Sequence, residues 1–337
     1  GDRYEDAERL RRRLNATKDL PVTAARLSDP EQYDAALSGG VARFQSRHGL
    51  AVDGVLGPAT FTALAVPLAW RVRQLELALE RQRWLPHVGR DRLVVVNIPM
   101  FSLWTWDTIP PRERPAFGTG VVVGRALSTE TPVFAGEIHE IVFQPYWNIP
   151  RSIVRDEVLP ALGRDPGYLV SNDMEIVRGP GDDAVPVPQT VESIAALASG
   201  TLRVRQRPGV RNALGQMKFV FPNENDIYMH GTPAQELFTR HRRDFSHGCV
   251  RVEDPVGLAE WALAGQPGWD RAAILAASSS GPVSRHIPLA RPVRVVLFYT
   301  TAIASPDDGA VHFAEDIYRH DVRLDRALRA PGGDVLR

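Results

Sequence analysis

Apolar residues recur at three- and four-residue intervals from Tyr4 to Leu14 and again in LAWRVRQLELALERQRW, Leu68 to Trp84. That spacing turns one face of a helix toward a core. Between them, VARFQSRHGLAVDGVLGPATFTAL predicts a helix carrying Val41 and Phe44 that ends near Gly49, a turn at Asp53-Gly54, and a second helix opening at Pro58. From Arg92 the pattern changes to that of strands. RLVVVNIP, FSLWTW, FGTGVVVG and EIHEIVFQPYWNIP are rich in β-branched and aromatic residues. From Arg151 to about Gly215 the pattern is mixed. Pro, Gly and Asp clusters (RDPGYL, RGPGDDAVPVPQ) surround one short helical run at Val191 to Ala198. This predicts an insertion or lid too poor in helix to build a large core of its own. Strands resume at KFVF and DIYMH, helices follow at DPVGLAEWALAG and WDRAAILAA, RPVRVVLFYTTA reads as a buried strand, and a helix at Leu324 to Leu328 closes the chain. The expected class is α+β: a small helical domain over 1–67, a connecting helix over 68–91, and a mainly β domain over 92–337 with the inserted lid at about 148–215. No internal repeat of useful length is visible.

Composition narrows the function. The 337 residues are 44% apolar and 24% charged, the balance of a globular protein with length for two or three domains. Lys plus Arg equals Asp plus Glu at 40 each, so no basic excess is present to neutralise a run of phosphates, and nucleic acid is not expected as a partner. No stretch approaches the roughly 18 consecutive apolar residues of a membrane span. The N-terminal GDRYEDAERLRRRL has no hydrophobic signal core, which leaves either a cytosolic protein or one whose signal or anchor segment has been removed.

The chain has one cysteine, Cys249. It cannot belong to an internal disulfide framework or a multi-thiolate zinc site, which leaves a packed small hydrophobe or a reactive thiol. Its surroundings, IYMHGTPAQELFTRHRRDFSHGCVRVEDP, favour the second. A nucleophilic cysteine needs an imidazole or cation nearby to raise its thiolate fraction, and His230 and His247 both offer one. Gly231 follows His230 and Gly248 precedes Cys249. Glycines there permit close approach of backbone N–H groups to a developing oxyanion.

HGT followed by SHGCVR resembles the signature of the L,D-transpeptidase catalytic domain, the YkuD-type fold. The likeness extends through RQRPGVRNALGQMKFVFPNENDIYMHGTP, TPVFAGEIHEIVFQPYWNIPRSI, DEVLPALGRDPGYL and LERQRWLP to the large YcbB-like periplasmic subgroup, and covers roughly Leu68 to Leu328. FQSRHGLAVDGVLGPATFTAL is similar to a peptidoglycan-binding domain, with FQ, GL, DG and GPAT in order; the plainer reading is a helical scaffold in which His48 only packs.

The resemblance implies a periplasmic enzyme acting on peptidoglycan stem peptides and glycan strands, acylated by carbapenem β-lactams, with no cofactor and no metal. Cys249 would attack the carbonyl of the diamino acid at the third position of a tetrapeptide stem, release D-alanine, and pass the acyl group to the side-chain amine of a neighbouring stem as a 3-3 cross-link, with water competing. His230 would serve as base, titrating near neutrality and oriented by the Gly231 carbonyl. Backbone N–H groups of Gly248 and Cys249 are the expected oxyanion donors. Around them, His247 either touches substrate or holds the loop, Arg251 either binds a substrate carboxylate or braces the loop, and Ser246 is expected in a loop hydrogen bond. Tyr228 and Trp147 either line the cleft or belong to the core, and Asn212 is expected to be structural. FGTGVVVG superficially suggests a dinucleotide fingerprint but continues as a strand where a helix is needed.

Three rivals remain. A cysteine peptidase of the NlpC/P60 or papain kind, or a carboxypeptidase, would cut stems; in those peptidase families the cysteine precedes its histidine, the reverse of the order here. A zinc hydrolase would need more than His230, His247 and Cys249. A non-catalytic peptidoglycan-binding scaffold would have no chemical need for thiol, base and glycines together.

Overall fold

One buried side chain explains why FQ, DG and GPAT occur in that order. Gln45, on the helix Ala35–Arg47, accepts the N–H groups of Asp53 (3.1 Å) and Gly54 (2.8 Å) and donates to the Val55 carbonyl (2.9 Å) and to Thr60 (3.1 Å). The turn is thereby pinned against the helix, and the next helix, Pro58–Ala65, begins with proline in its first turn, where its missing N–H costs nothing. With Ala7–Ala16 these helices close a small core of Leu10, Leu14, Leu37, Val41 and Phe44. The computed structural model describes residues 2–21, 31–85, 91–108, 114–279, 281, 283–305 and 309–330. His48 is buried between the rings of Phe44 and Phe313, and burial, with Arg71 beside it, drives its pKa down to about 3. It packs as a neutral ring, against a residue from near the other end of the chain. Arg47, paired with Asp19 at 2.6 Å, also donates to the Val311 carbonyl at 2.6 Å. The connecting helix, Leu68–Arg83, is fastened to the same region by Arg81 on Asp321 and by Gln74 on Thr301.

Nine strands then form one sheet in the order Asp244–Ser246, Phe117–Gly124, Val250–Val252, Met229–His230, Met217–Val220, Phe134–Phe143, Arg285–Phe298, Leu93–Asn97 and Ser102–Trp106. Ser102–Trp106 also pairs with Phe117–Gly124, so the sheet closes on itself. Side chains alternate faces along a strand. Ile141, Phe143, Met217, Phe219, Met229, Val250 and Val252 point into the main core, completely buried, with Leu258, Trp261 and Ile274 of the helices Pro255–Ala262 and Arg271–Ser279. Their neighbours in sequence, Lys218, Tyr228, His230, Cys249 and Arg251, fall on the opposite face. Register confirms it: Lys218 lies opposite His230, and His230 opposite Arg251.

The segment at about 148–215 departs from expectation. It has a hydrophobic core of its own, in which Ile149, Ile153, Val158, Leu162, Leu169, Ile176, Leu197 and Val204 are buried together. A separate four-stranded sheet, in the order Trp147–Asn148, Arg203–Gln206, Met174–Arg178 and Val185–Val187, packs with helical turns over 151–164 and the helix Val191–Ser199. The Pro, Gly and Asp clusters are the turns between these elements rather than their substance. Pro160 sits in the first turn of Leu159–Arg164, where it does not break a helix, and Thr190 caps Val191–Ser199 through a reciprocal bond with Ser193.

Two histidine–carboxylate contacts fasten this subdomain over the polar face of the sheet. His247 meets Glu157 at 2.7 Å; His286, on the main sheet with Glu140 (3.2 Å), meets Asp182 of the subdomain at 2.9 Å. Burial draws the His286 pKa down, but the hydrogen bonds and charges of Asp182 and Glu140 outweigh it, and the net shift is upward. A histidine that binds its proton more tightly folded than free contributes fully below the free-imidazole range near 6.5 and loses its contribution as pH rises through the higher folded value. Amide exchange in residues 179–184 should therefore speed up as pH rises above that range, after correction for intrinsic exchange. His286→Ala should abolish the pH dependence, and an unchanged dependence in that variant would show that the contact does not hold the subdomain.

Candidate active site

The loop before Val250–Val252 is tied down at nearly every polar atom. Ser246 donates its hydroxyl to the Cys249 carbonyl at 2.5 Å and accepts the Gly248 N–H at 3.1 Å. From the neighbouring loop, Thr129 donates to the Ser246 carbonyl (2.9 Å) and Thr131 to the Gly248 carbonyl (2.7 Å). Gly248 has φ of +113°, a region L side chains rarely adopt, and this swings the chain so that Cys249 emerges beside Tyr228. Sequence reasoning expected the Gly248 N–H as an oxyanion donor. The structure corrects this: that N–H is committed to Ser246, as the Ser246 hydroxyl is to the loop, and the Cys249 N–H is the one expected donor left.

Tyr228, His230, Ser246, His247, Cys249, Arg251 and Trp147 all line one cleft of about 540 Å³, roofed by Asp156 and Glu157 of the inserted subdomain. The residues expected from sequence are thus brought together. Tyr228 and Trp147 line the cleft while also packing against the edges of the main core and the subdomain core respectively, and Trp147 reaches the Tyr228 hydroxyl. Asn212 is structural, buried with its amide on the Pro145 and Arg207 carbonyls.

His230 is buried, and its Nδ1 lies 2.5 Å from the Gly231 carbonyl oxygen. A ring nitrogen against a carbonyl carries the hydrogen, which leaves Nε2 an acceptor in the neutral ring. The close approach rests on Gly215, whose φ is +63° and where a Cβ would stand 2.8 Å from the Gly231 carbonyl carbon. Burial, reinforced by the charge of Arg251, drives the His230 pKa down to about 3. An imidazole titrating near neutrality was expected; in the resting site it stays neutral, because a third positive charge beside Arg251 and Lys218 in a buried position is disfavoured. Cys249 is shifted the other way. Burial pushes the thiol up, partly offset by the Tyr228 N–H and hydroxyl and by the charge of Lys218. The thiol's hydrogen bond goes to the Asp226 carbonyl at 3.8 Å rather than to His230. The resting pair is therefore a neutral thiol and a neutral imidazole. Apo geometry of this looseness commonly tightens only on substrate binding.

Residues 91–270 match the family described as the L,D-transpeptidase catalytic domain, YkuD, and residues 3–64 one described as "Putative peptidoglycan binding domain". The chain belongs to the L,D-transpeptidase catalytic domain family. It is 31% identical over 260 residues to a Haemophilus influenzae protein named "Putative L,D-transpeptidase", a match taking in 76% of this chain and 49% of that one, so the chain spans about half the length of the curated relative it matches. Looser likenesses, too weak to bear on mechanism, are to an L,D-transpeptidase (Yku) from Stackebrandtia nassauensis (13% identity, 88% of this chain and 93% of that, TM-score 0.31) and to L,D-transpeptidase 3 from Mycobacterium tuberculosis in complex with a faropenem-derived adduct (12%, 60% and 59%, TM-score 0.25).

Within this L,D-transpeptidase fold, three residues important to the site escaped sequence reasoning. Thr131 braces the nucleophile loop. Asn223 ties the Phe221 and Ile227 carbonyls at 2.7 Å each, shaping the turn that presents Asp226 to the thiol. Lys218 lies over the Tyr228 ring at 4.1 Å. Asn223 sits in PNEND, where a turn was legible; nothing local marks Thr131. Among the described residues no group of three or more His, Cys, Asp or Glu side chains is arranged to hold a metal ion.

Because the thiol is pushed up and the imidazole down, iodoacetamide capture of Cys249 should climb continuously with pH toward and beyond the ordinary thiol value of 9.0, with no step near 6.5. A step near 6.5 would mean that thiol and imidazole rest as an ion pair.

Proposed function

We propose that this protein is an L,D-transpeptidase working outside the cytoplasmic membrane, forming 3-3 cross-links between peptidoglycan stems through a thioester on Cys249. The observation that carries the reading is the placement of Cys249, Tyr228, His230 and Arg251 on one sheet face beneath a subdomain, with the imidazole already held in the tautomer that accepts a proton.

The chemistry follows from the neutral pair. The thiol attacks the carbonyl of the third stem residue as its proton passes to His230 Nε2. The imidazolium that forms is held by the Gly231 carbonyl at Nδ1 and is offset by the negative charge developing on the carbonyl oxygen. The Cys249 N–H and the Tyr228 hydroxyl are assigned as donors to that oxyanion. Collapse expels D-alanine, whose amine takes the proton from His230, and leaves the thioester. An acceptor amine then gives its proton to His230 as it attacks, and the thiol is released. Water can replace the amine, so hydrolysis competes; exclusion of solvent by the covering subdomain favours transfer. Carbapenems would enter as strained acyl donors and stop at the acyl-enzyme. The 3–64 domain is assigned to holding glycan strands near the cleft.

Incubation with isolated peptidoglycan, digestion and mass analysis should reveal 3-3 dimers that are absent with Cys249→Ala, and His230→Ala should lower their rate by about 10²- to 10⁴-fold. Stems shortened to tripeptides without dimers would instead identify a carboxypeptidase. Dimers formed by Cys249→Ala would remove the proposed nucleophile.

A further inference from the structure

Of the 40 basic residues in this chain, only Lys18 and Lys218 are lysines. Lys18 is in the N-terminal helical domain; Lys218 stands in the catalytic sheet, on the strand Met217–Val220, directly opposite His230. The His230 strand thus separates it from the strand that follows Cys249 and carries Arg251. Its ammonium rests 4.1 Å above the Tyr228 ring and lines a cavity of about 810 Å³ that shares Pro150, Asp226 and Tyr228 with the catalytic cleft. Among the described residues it meets no carboxylate within ion-pair distance. Three carboxylates act on it by charge without bonding to it: Asp182 and Glu140, both engaged by His286, and Asp226, which lines the same cavity. In the adjoining cleft, Arg251 has a buried Nε without a partner. Two partly desolvated cations therefore bracket the thiol, one in each of two joined cavities.

Leaving a cation half-buried and unpaired costs free energy, and the cost is recovered when an anion arrives. Resting on the reading above, we propose that Lys218 is a specificity-determining residue that binds a carboxylate of the acyl-donor stem in the cavity beside Tyr228, while Arg251 serves the other end of the donor. A tetrapeptide donor carries the terminal carboxylate of D-alanine and the free carboxylate of a diamino acid such as diaminopimelate. The shared chemistry is a carboxylate within reach of the reacting carbonyl.

The test compares acyl transfer from three donors: both carboxylates free, the terminal carboxylate amidated, and the diamino-acid carboxylate amidated. Lys218→Gln should lower kcat/KM for the diacid by about 10- to 100-fold, chiefly through KM, and the loss should be much smaller for one of the two amides, which identifies the carboxylate that Lys218 holds. Iodoacetamide capture of Cys249 should move modestly to higher pH in the variant, since the Lys218 charge lowers the thiol's pKa, and this measures the part of the loss common to all donors. Equal losses on all three donors would overturn the proposal by assigning Lys218 to the thiol alone. Should Lys218→Gln not fold, Lys218→Arg, which keeps the charge but moves it, should weaken the diacid more than one of the two amides; a uniform effect overturns the proposal equally. A wild type that transfers none of the donors contradicts the transpeptidase reading instead.

Discussion

Two short strands run side by side and parallel, with Met229 opposite Val250 and His230 opposite Arg251. Much of the site depends on that register. Because side chains alternate, burying Met229 and Val250 in the main core obliges Tyr228, His230, Cys249 and Arg251 to share the other face. A slip of one residue would bury the charged set and expose the apolar one, so the hydrophobic core itself fixes the catalytic alignment. The next strand extends the same logic: Met217 and Phe219 go inward, and Lys218 goes to the active face. The inserted subdomain, with its own core, then covers that face and turns an open sheet surface into a cleft with an adjoining cavity.

Covering the site has an electrostatic consequence. In a pocket already holding Arg251 and near Lys218, a third cation is disfavoured, so His230 rests neutral and its tautomer is set by the Gly231 carbonyl. The thiol, held up by burial, rests neutral as well. On the proposed mechanism, charge appears only when the substrate carbonyl is attacked, when imidazolium and oxyanion form together and offset each other. A thiol kept neutral in this way reacts more slowly with alkylating agents and oxidants than a standing thiolate would. Its reactivity is released by the substrate.

Most of the site was legible because its chemistry is concentrated in one stretch: His230, Gly231, Ser246, His247, Gly248, Cys249 and Arg251 lie within about twenty residues and share strand periodicity. Most strands and helices also followed from period-two and period-four patterns. Two things were hidden. The core of the inserted subdomain is assembled from helix turns and strands of a few residues each, too short for either period to stand out, while the Pro and Gly turns between them dominate the local reading. The protonation states were hidden because they depend on what lies across the sheet: the His230 pKa is set by burial and by Arg251 on the neighbouring strand, and no local motif encodes either. Lys218 was hidden for a similar reason, being a single polar residue in MKFVF whose partners come from the next strand.

The central claim is that Cys249 carries the acyl group. It is tested most directly by quenching the protein in acid during turnover of a tetrapeptide donor and measuring its intact mass, then locating any adduct by proteolysis. The account predicts an increase equal to the donor less D-alanine, confined to the peptide containing Cys249 and absent from Cys249→Ala. Turnover with the enzyme unmodified throughout, or with the acyl group on any other residue, would contradict it.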